Sequence, residues 1–417
     1  MQANYFSRIV LNEWRQFQHV DIDLNSQTTV ITGANGCGKT TILNILGKHF
    51  GWNINFVATP YTSKRLRKRI FSDFRWRKRE EIAPESDSVS TVDVGSIEYT
   101  NGQSCKLLVN NNAAAAQYQI QYQAQQVVVG LQIPSHRPPA GYRPTISIPT
   151  SPKTFQQHYQ EFQQLSLQRH TGSNMQKQPD QVMKETLISL AIFGYGNEVV
   201  QSIPEYQNTF ERFVEILRVV MPKNIGFKTL EVRTPEIVLV TESGDFSLDA
   251  MSGGVGSLFG IAWQILICIL GSDNGTVVID EPENHLHPSM QRSLLPSLEK
   301  AFPAVRFVVS THSPFIVTSN ENASVYALSN HGHIGGGIRS EKLSSLQLSA
   351  SPEQILTEVL DVPSVAPAWV ENRIRAILAR YKDAPATEES AKKIYRELEE
   401  LGLADSVSDF NGGGIGE

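Results

Sequence analysis

The stretch Gly33-Ala-Asn-Gly-Cys-Gly-Lys39-Thr40 constrains this chain more than any other part of it. It fits G-x-x-x-x-G-K-[ST], follows the apolar run 28–32 and opens into a segment marked by Ile42, Leu43, Ile45 and Leu46, which reads as strand, loop and helix. In that setting the glycines let the backbone curl until successive N–H groups face phosphate oxygens, and the helix N-terminus adds a favourable dipole. Gly33, Asn35, Gly36, Gly38, Lys39, Thr40 and Thr41 are the candidate phosphate contacts. Lys39 is placed to neutralise the β and γ phosphates and Thr40 to offer a hydroxyl to Mg²⁺.

Three further motifs carry chemistry. Thr276-Val-Val-Ile-Asp280-Glu281 ends an apolar run in two carboxylates, an arrangement in which the first holds Mg²⁺, usually through water, and the second orients an attacking water. Ser252-Gly-Gly254 precedes the apolar segment 257–270, so a hydroxyl and two unhindered amides stand where a helix dipole meets an anion; a plain N-cap is the alternative. Val308-Val-Ser-Thr-His312 places a histidine just beyond another apolar run, where a hydrogen-bonded structural residue is the alternative.

Around these motifs the period of hydrophobicity divides the chain. Strands are expected at 6–11, 20–24 and 28–32, giving an α/β opening. From 88 to 129 the period is two, plainest in Gln117-Tyr-Gln-Ile-Gln-Tyr-Gln-Ala, which predicts an antiparallel β-lobe. A Pro-rich stretch (133–152) punctuates the chain, and 155–168, Gln-rich with aromatics, reads as helical or loosely ordered. Helices are expected at 181–193, 205–220 and 290–302, short strands at 227–232 and 237–241, and doubly buried parallel strands at 275–279 and 306–309. A glycine hairpin (332–337), three helical stretches and a Gly-rich tail expected to be disordered complete the chain.

Composition excludes several classes. With 37 Lys+Arg against 42 Asp+Glu the net charge is −5, so any nucleic-acid contact must come from a local patch. No run of residues is apolar enough for a membrane helix and the N-terminus lacks a signal-peptide core, so a cytoplasmic protein is expected. Cys37, Cys105 and Cys268 share no metal-ligand spacing, which argues against zinc and a disulfide framework.

The order of phosphate loop, S-G-G helix, D-E strand and strand-end histidine resembles that of ABC-type ATPase heads. Asn35, the run Asp280-Glu-Pro-Glu-Asn-His-Leu-His-Pro288 and Ser310-Thr-His-Ser-Pro314 look most like the stand-alone branch related to OLD-family and RecF/SMC-like ATPases. That resemblance implies an α/β, ABC-type P-loop NTPase with an inserted antiparallel β-lobe and a helical lobe. The head would be 1–330, with a nucleotide-binding core at 1–50 and 226–330, the β-lobe at 86–132 and the helical insertion at 153–222. A C-terminal helical extension would fill 331–417. It further implies a head-to-tail homodimer, or a higher even oligomer, in which ATP on Lys39 of one subunit is covered by Ser252 and Gly254 of the other. Glu281 would polarise water, His312 would hold the γ-phosphate, and Thr40 with Asp280 would hold Mg²⁺. Val255 and Gly256 stand where transporter-type heads usually carry Gln. Gln132, after the β-lobe, is the candidate for the glutamine that such heads place near the nucleotide; a plain strand-end glutamine is the alternative.

Residues 64–79 hold nine Lys or Arg, with Leu66, Ile70 and Phe74 four apart, which predicts a basic amphipathic helix. Lys68, Arg69, Arg77 and Lys78, interleaved with aromatics, are candidate DNA or RNA contacts; a solvated or protein-docking face is the alternative. The resemblance implies an ATP-driven switch for a separate effector protein, a nuclease or toxin, as in bacterial anti-phage systems of the Septu and retron-associated kinds. A RecF/SMC-like DNA clamp is the second reading, although the inserted helices are too short for long heptad coils. A transporter subunit fits the strand-end motifs poorly. The last ninety residues contain no D-x-D of the kind OLD nucleases carry.

Overall fold

The computed structural model describes residues 3–64, 67, 69–74, 90–111, 116–137, 141–142, 144–145, 147–148, 155–172, 177–331, 336–362, 364, 366–381 and 387–401. These form two compact units, 1–349 and 350–417.

The first unit is a mixed α/β fold around one large sheet. Its strands are β1 (Phe6–Trp14), β2 (Phe17–Asp23), β3 (Thr28–Gly33), β4 (Phe56–Val57), β5 (Thr59–Thr62), β6 (Arg69–Ser72), β7 (Ser90–Tyr99), β8 (Ser104–Asn111), β9 (Gln117–Tyr118), β10 (Ile120–Gln123) and β11 (Gly130–Ile133). After the helical segment follow β12 (Phe227–Arg233), β13 (Glu236–Thr241), β14 (Phe246–Ser247), β15 (Gly275–Asp280), β16 (Val305–Thr311), β17 (Ser324–His331) and β18 (Gly337–Lys342). Helices are α1 (Lys39–Gly47), α2 (Phe155–His170), α3 (Pro179–Tyr195), α4 (Pro204–Val220), α5 (Gly253–Ile269) and α6 (Pro288–Ala301).

Eleven strands share the sheet in the order β10-β8-β7-β1-β2-β18-β17-β3-β16-β15-β11. The β11, β15, β16, β3 and β17 half is parallel throughout. Every residue of β3 and β15 is buried, as strands covered on both faces require. In the other half β1 and β2 alternate, with Ile9 and Leu11 inward and Arg8 and Asn12 outward. The expected β-lobe is antiparallel, and it continues this sheet through the pairing of β7 with β1 instead of standing apart.

Residues 69–74 overturn the basic helix expected at 64–79. Arg69–Ser72 is a strand, β6, paired antiparallel with β5. Phe74 is 3% exposed in the core, bridged to Trp14, and Asp73 accepts from the Tyr118 hydroxyl (2.7 Å) and pairs with Arg15 (3.3 Å). The free edge of β5 and the core anchor at Phe74 outweigh the four-residue spacing, because strand pairing satisfies the backbone as well as a helix would. Lys68, Arg77 and Lys78 lie outside the described residues, as does the Gly-rich tail.

The helical segment packs on the parallel half through α4 and α5, where Phe213 meets Phe259 and Trp263 edge-on at 5.0 and 5.3 Å. Lys184 on α3, 1% exposed, is paired with Glu236 of β13 and with Asp249 at 2.7 Å, just ahead of α5. In the second unit Ala368–Arg380 and Glu388–Glu400 form a helical pair around Val370, Ile374, Ile377 and Leu398. No helix among the described residues is long and apolar enough to cross a membrane.

Candidate functional site

Three neighbouring parallel strands deliver the motifs to one edge of the sheet. β16 lies between β3 and β15, with Ser310 level with Ile31 on one side and Asp280 on the other. The loop after β3, the carboxylates ending β15 and the histidine after β16 therefore converge outside the C-terminal strand ends, where open α/β sheets bind ligands.

The loop is shaped by backbone that only glycine accommodates. Gly33 has φ +139°, and a Cβ there would come within 2.3 Å of the Leu328 carbonyl oxygen; at Gly38, φ +95°, it would meet the Phe17 ring at 2.4 Å. Lys39, 5% exposed, turns back and donates from Nζ to the Gly33 and Ala34 carbonyls at 2.9 and 3.1 Å. Burial lowers its pKa from the ordinary lysine value. Asn35, Gly36 and Thr40 are exposed and Thr41 is half-buried in the first turn of α1; the Gly36 carbonyl accepts from the Gln16 amide at 3.4 Å.

Thr40 Oγ1 lies 3.0 and 3.2 Å from the two Asp280 oxygens, and Ser310 donates to the same carboxylate. Burial raises the Asp280 pKa above the usual carboxylate value, opposed by the two hydroxyls. A hydroxyl facing a costly buried carboxylate is a donor set that suits a hard cation keeping most of its waters and phosphate ligands, as Mg²⁺ does. Glu281 follows with φ +47°, unusual for a side chain of that size, and its N–H donates to the Ser310 carbonyl (2.9 Å). Its carboxylate stands 3.9 Å from His312 Nε2 and accepts from the Asn284 amide at 3.1 Å. Burial, and next Lys39, lower the His312 pKa, so the imidazole is neutral near pH 7.

Several residues that organise this edge were not singled out from sequence. Arg137 donates to the Pro134 and Asp280 carbonyls (2.8 and 3.1 Å) and to the Glu281 carbonyl (2.8 Å), clamping the strained D-E backbone from below. Burial pushes its pKa down to about 10, so it stays charged at neutral pH. Glu283 takes the Thr311 hydroxyl (2.7 Å) and the His312 N–H (2.9 Å) on one oxygen, fixing where His312 leaves β16. Glu283 lies two residues past Glu281 in the D-E-P-E run, a spacing that signals it; Arg137, in the Pro-rich stretch, carries no local pattern.

Of the two readings open for Gln132, its surroundings fit the plain strand-end glutamine. It is buried behind α1, its amide 2.8 Å from that of Asn44, and a Cβ at Gly47 would sit 1.6 Å from its side-chain oxygen. It pins α1 to β11 and has no described contact with Lys39 or Asp280. Ser252 begins α5 without capping it through its side chain. Gly254 packs on the loop after β15, where a Cβ would lie 2.9 Å from the His285 carbonyl. Among the described residues no hydrogen bond joins Ser252 or Gly254 to Lys39, Thr40, Asp280, Glu281 or His312.

Two family models match the chain: "AAA domain" over residues 8–131 and "AAA domain, putative AbiEii toxin, Type IV TA system" over 199–318. The first takes in the loop at Lys39, the second the carboxylates and His312. Among curated proteins, the chain is 27% identical over 184 residues to the "Retron Ec83 probable ATPase" of Escherichia coli, covering 42% of this chain and 32% of that protein. It is 33% identical over 98 residues to the "Retron Vc95 probable ATPase" of Vibrio cholerae serotype O1 biovar El Tor, covering 21% of this chain and 19% of that protein. To the Septu protein PtuA of Bacillus thuringiensis it is 22% identical over 309 residues, covering 71% of this chain and 68% of that protein. The chain thus spans a third or less of the length of the two retron relatives. Among solved structures, the SMC head domain from Thermotoga maritima aligns with a TM-score of 0.42 at 14% identity, covering 81% of this chain and 99% of that one. An Smc head with an extended coiled coil, derived from Pyrococcus furiosus, gives 0.44 at 14% identity, covering 85% and 99%. The chain matches AAA-domain sequence over residues 8–131 and 199–318 and is similar to retron probable ATPases and to Septu PtuA.

Proposed function

We propose that this protein binds and hydrolyses ATP, closes head-to-tail with a second copy around it, and uses that closure to control a separate effector protein. The observation that carries the reading is the convergence at one strand edge of Lys39, folded back on two carbonyls, with the Thr40, Ser310 and Asp280 cluster and with Glu281 beside a neutral His312.

In this reading Lys39 exchanges its carbonyl partners for the β and γ phosphates, which offer stronger, charge-assisted hydrogen bonds. Thr40 and Asp280 would hold Mg²⁺, which would supply neutralisation of the phosphate charge. Glu281 accepts a hydrogen bond from the attacking water and aims it; the positive φ, held by Arg137, sets that direction. Neutral His312 donates to a γ-phosphate oxygen and reports its loss. Ser252 and Gly254, which make no hydrogen bond to their own subunit's cluster among the described residues, serve the γ-phosphate of the opposite subunit with the positive end of α5. The head is assigned to 1–330, with the insertion within it, and the helical extension to 331–417.

The anti-phage role and the nuclease or toxin partner rest on similarity to retron and Septu proteins. Glu281→Gln is the test: it keeps the shape of the site and removes the base, so ATP should bind and persist unhydrolysed. Turnover at the wild-type rate would refute the assignment of Glu281.

A further inference from the structure

Between α2, α3 and α5 the first unit keeps a partly enclosed cavity of about 110 Å³, near the ~150 Å³ that accommodates a benzene ring in an engineered core. One wall is the side of α5 on which Gly256 and Gly260 fall; a Cβ at Gly260 would meet nothing within 4 Å. Facing it are Phe162 of α2, Met183 of α3 and Ile133 at the end of β11. Close packing normally fills such a space.

Its polar lining is unspent as well. Ser257, 8% exposed, has a buried hydroxyl with no hydrogen-bond partner among the described residues. Arg169 uses a terminal nitrogen on Asp180 and leaves Nε unpartnered, and Arg137 leaves its own Nε unpartnered. The two carboxylates in the lining are already answered, Asp180 by Arg169 and Asp249 by Lys184. Among the described residues, the buried lining atoms left without a partner are two guanidinium Nε–H donors and one hydroxyl, each costly to bury unmatched, and an anion is a partner that satisfies all three.

We propose that this cavity binds a small planar organic anion, one ring bearing a carboxylate, laid on the bare α5 backbone at Gly256 and Gly260 with its charge toward Arg169 and Arg137. The site is distinct from the phosphate edge, because Lys39, Thr40, Asp280, Glu281, Ser310 and His312 do not line it, although Ser252 and Gly253 stand at one end. It goes beyond the ATPase reading and does not depend on it.

Benzoate is the probe, with benzyl alcohol as its uncharged counterpart, and binding is followed by saturation-transfer NMR and calorimetric titration on the full chain without nucleotide. Benzoate should bind one per chain, and benzyl alcohol at least about tenfold more weakly, a difference of ~1.4 kcal/mol. Gly260→Leu fills the cavity with a residue that favours helix and should abolish binding without lowering the melting temperature; Ser257→Ala, which removes only the hydroxyl, should weaken it several-fold. No saturable benzoate binding at millimolar concentration, equal binding of the neutral alcohol, or binding that survives both variants would each overturn the proposal.

Discussion

Replacing Arg137 by alanine separates the chemistry at Glu281 from the binding of nucleotide. The guanidinium makes three hydrogen bonds to carbonyls, two of them on Asp280 and Glu281, and bonds from a charged donor contribute ~1.5–3 kcal/mol each. Burial of the charge, visible in a pKa held down to about 10, takes back a good part of that, because each pKa unit corresponds to ~1.4 kcal/mol. The expected net loss of stability is therefore modest, ~2 kcal/mol, and the protein should fold. Catalysis should lose more. Without the clamp the backbone at Glu281 can relax from its φ of +47°, and a displacement of ~1 Å of a positioned group costs ~10²-fold in rate. Lys39 and its loop do not touch Arg137, so KM for ATP should stay near wild type while kcat falls. Arg137→Lys, which cannot reach three carbonyls with one ammonium, should fall between. Steady-state phosphate release, with circular dichroism to establish folding, measures both constants. A folded Arg137→Ala protein with kcat within about twofold of wild type, or one in which KM alone rises, would refute the clamp.

Other outcomes follow from the same geometry. Lys39→Ala should abolish ATP binding measured by fluorescent-nucleotide titration, since no other cation of the loop reaches the phosphates; unchanged affinity would remove the site from this loop. Gly38→Ala should lose ATP binding and lower the melting temperature, because its Cβ would collide with Phe17 at 2.4 Å in a backbone of φ +95°; a neutral effect would contradict the loop geometry. Ser252→Arg mixed with Lys39→Ala subunits should regain part of the activity that each lacks alone, since one composite site then carries neither defect; no recovery counts against shared sites. Asp280→Asn should raise the melting temperature of the nucleotide-free protein at pH 7. The folded pKa lies above the ordinary 3.8, so the buried charge destabilises above the raised value, and that penalty disappears as pH falls through it toward 3.8. The gain from asparagine should vanish over the same window, and a gain independent of pH would show another cause.

Much of this edge was legible because its chemistry is local in sequence. The G-x-x-x-x-G-K-T spacing, the strand ending in Asp280 and Glu281 and the strand ending before His312 each signal their own geometry, and parallel strands bring them together. What was hidden depends on contacts across long sequence distances. Arg137 acts on carbonyls 143 and 144 residues away, and no periodicity points to it. The sequence leaves Gln132 between two readings because its position after a strand says nothing of the direction of its side chain; the close approach of Gly47 and Asn44 decides that. The basic segment misled for a related reason: Leu66, Ile70 and Phe74 keep helical spacing, yet β5 supplies a partner for Arg69–Ser72 and Trp14 a seat for Phe74. Pairing with a distant edge overrides a local pattern of that length.

In the proposed cycle ATP joins two copies and its hydrolysis parts them. Sedimentation velocity of the Glu281→Gln protein, with and without Mg²⁺-ATP, reads that step. The mass should double with ATP, stay unchanged with ADP, and fail to double when Lys39→Ala or Ser252→Arg is added. A Glu281→Gln protein that binds ATP and keeps the same mass with and without it would show that ATP does not join two copies.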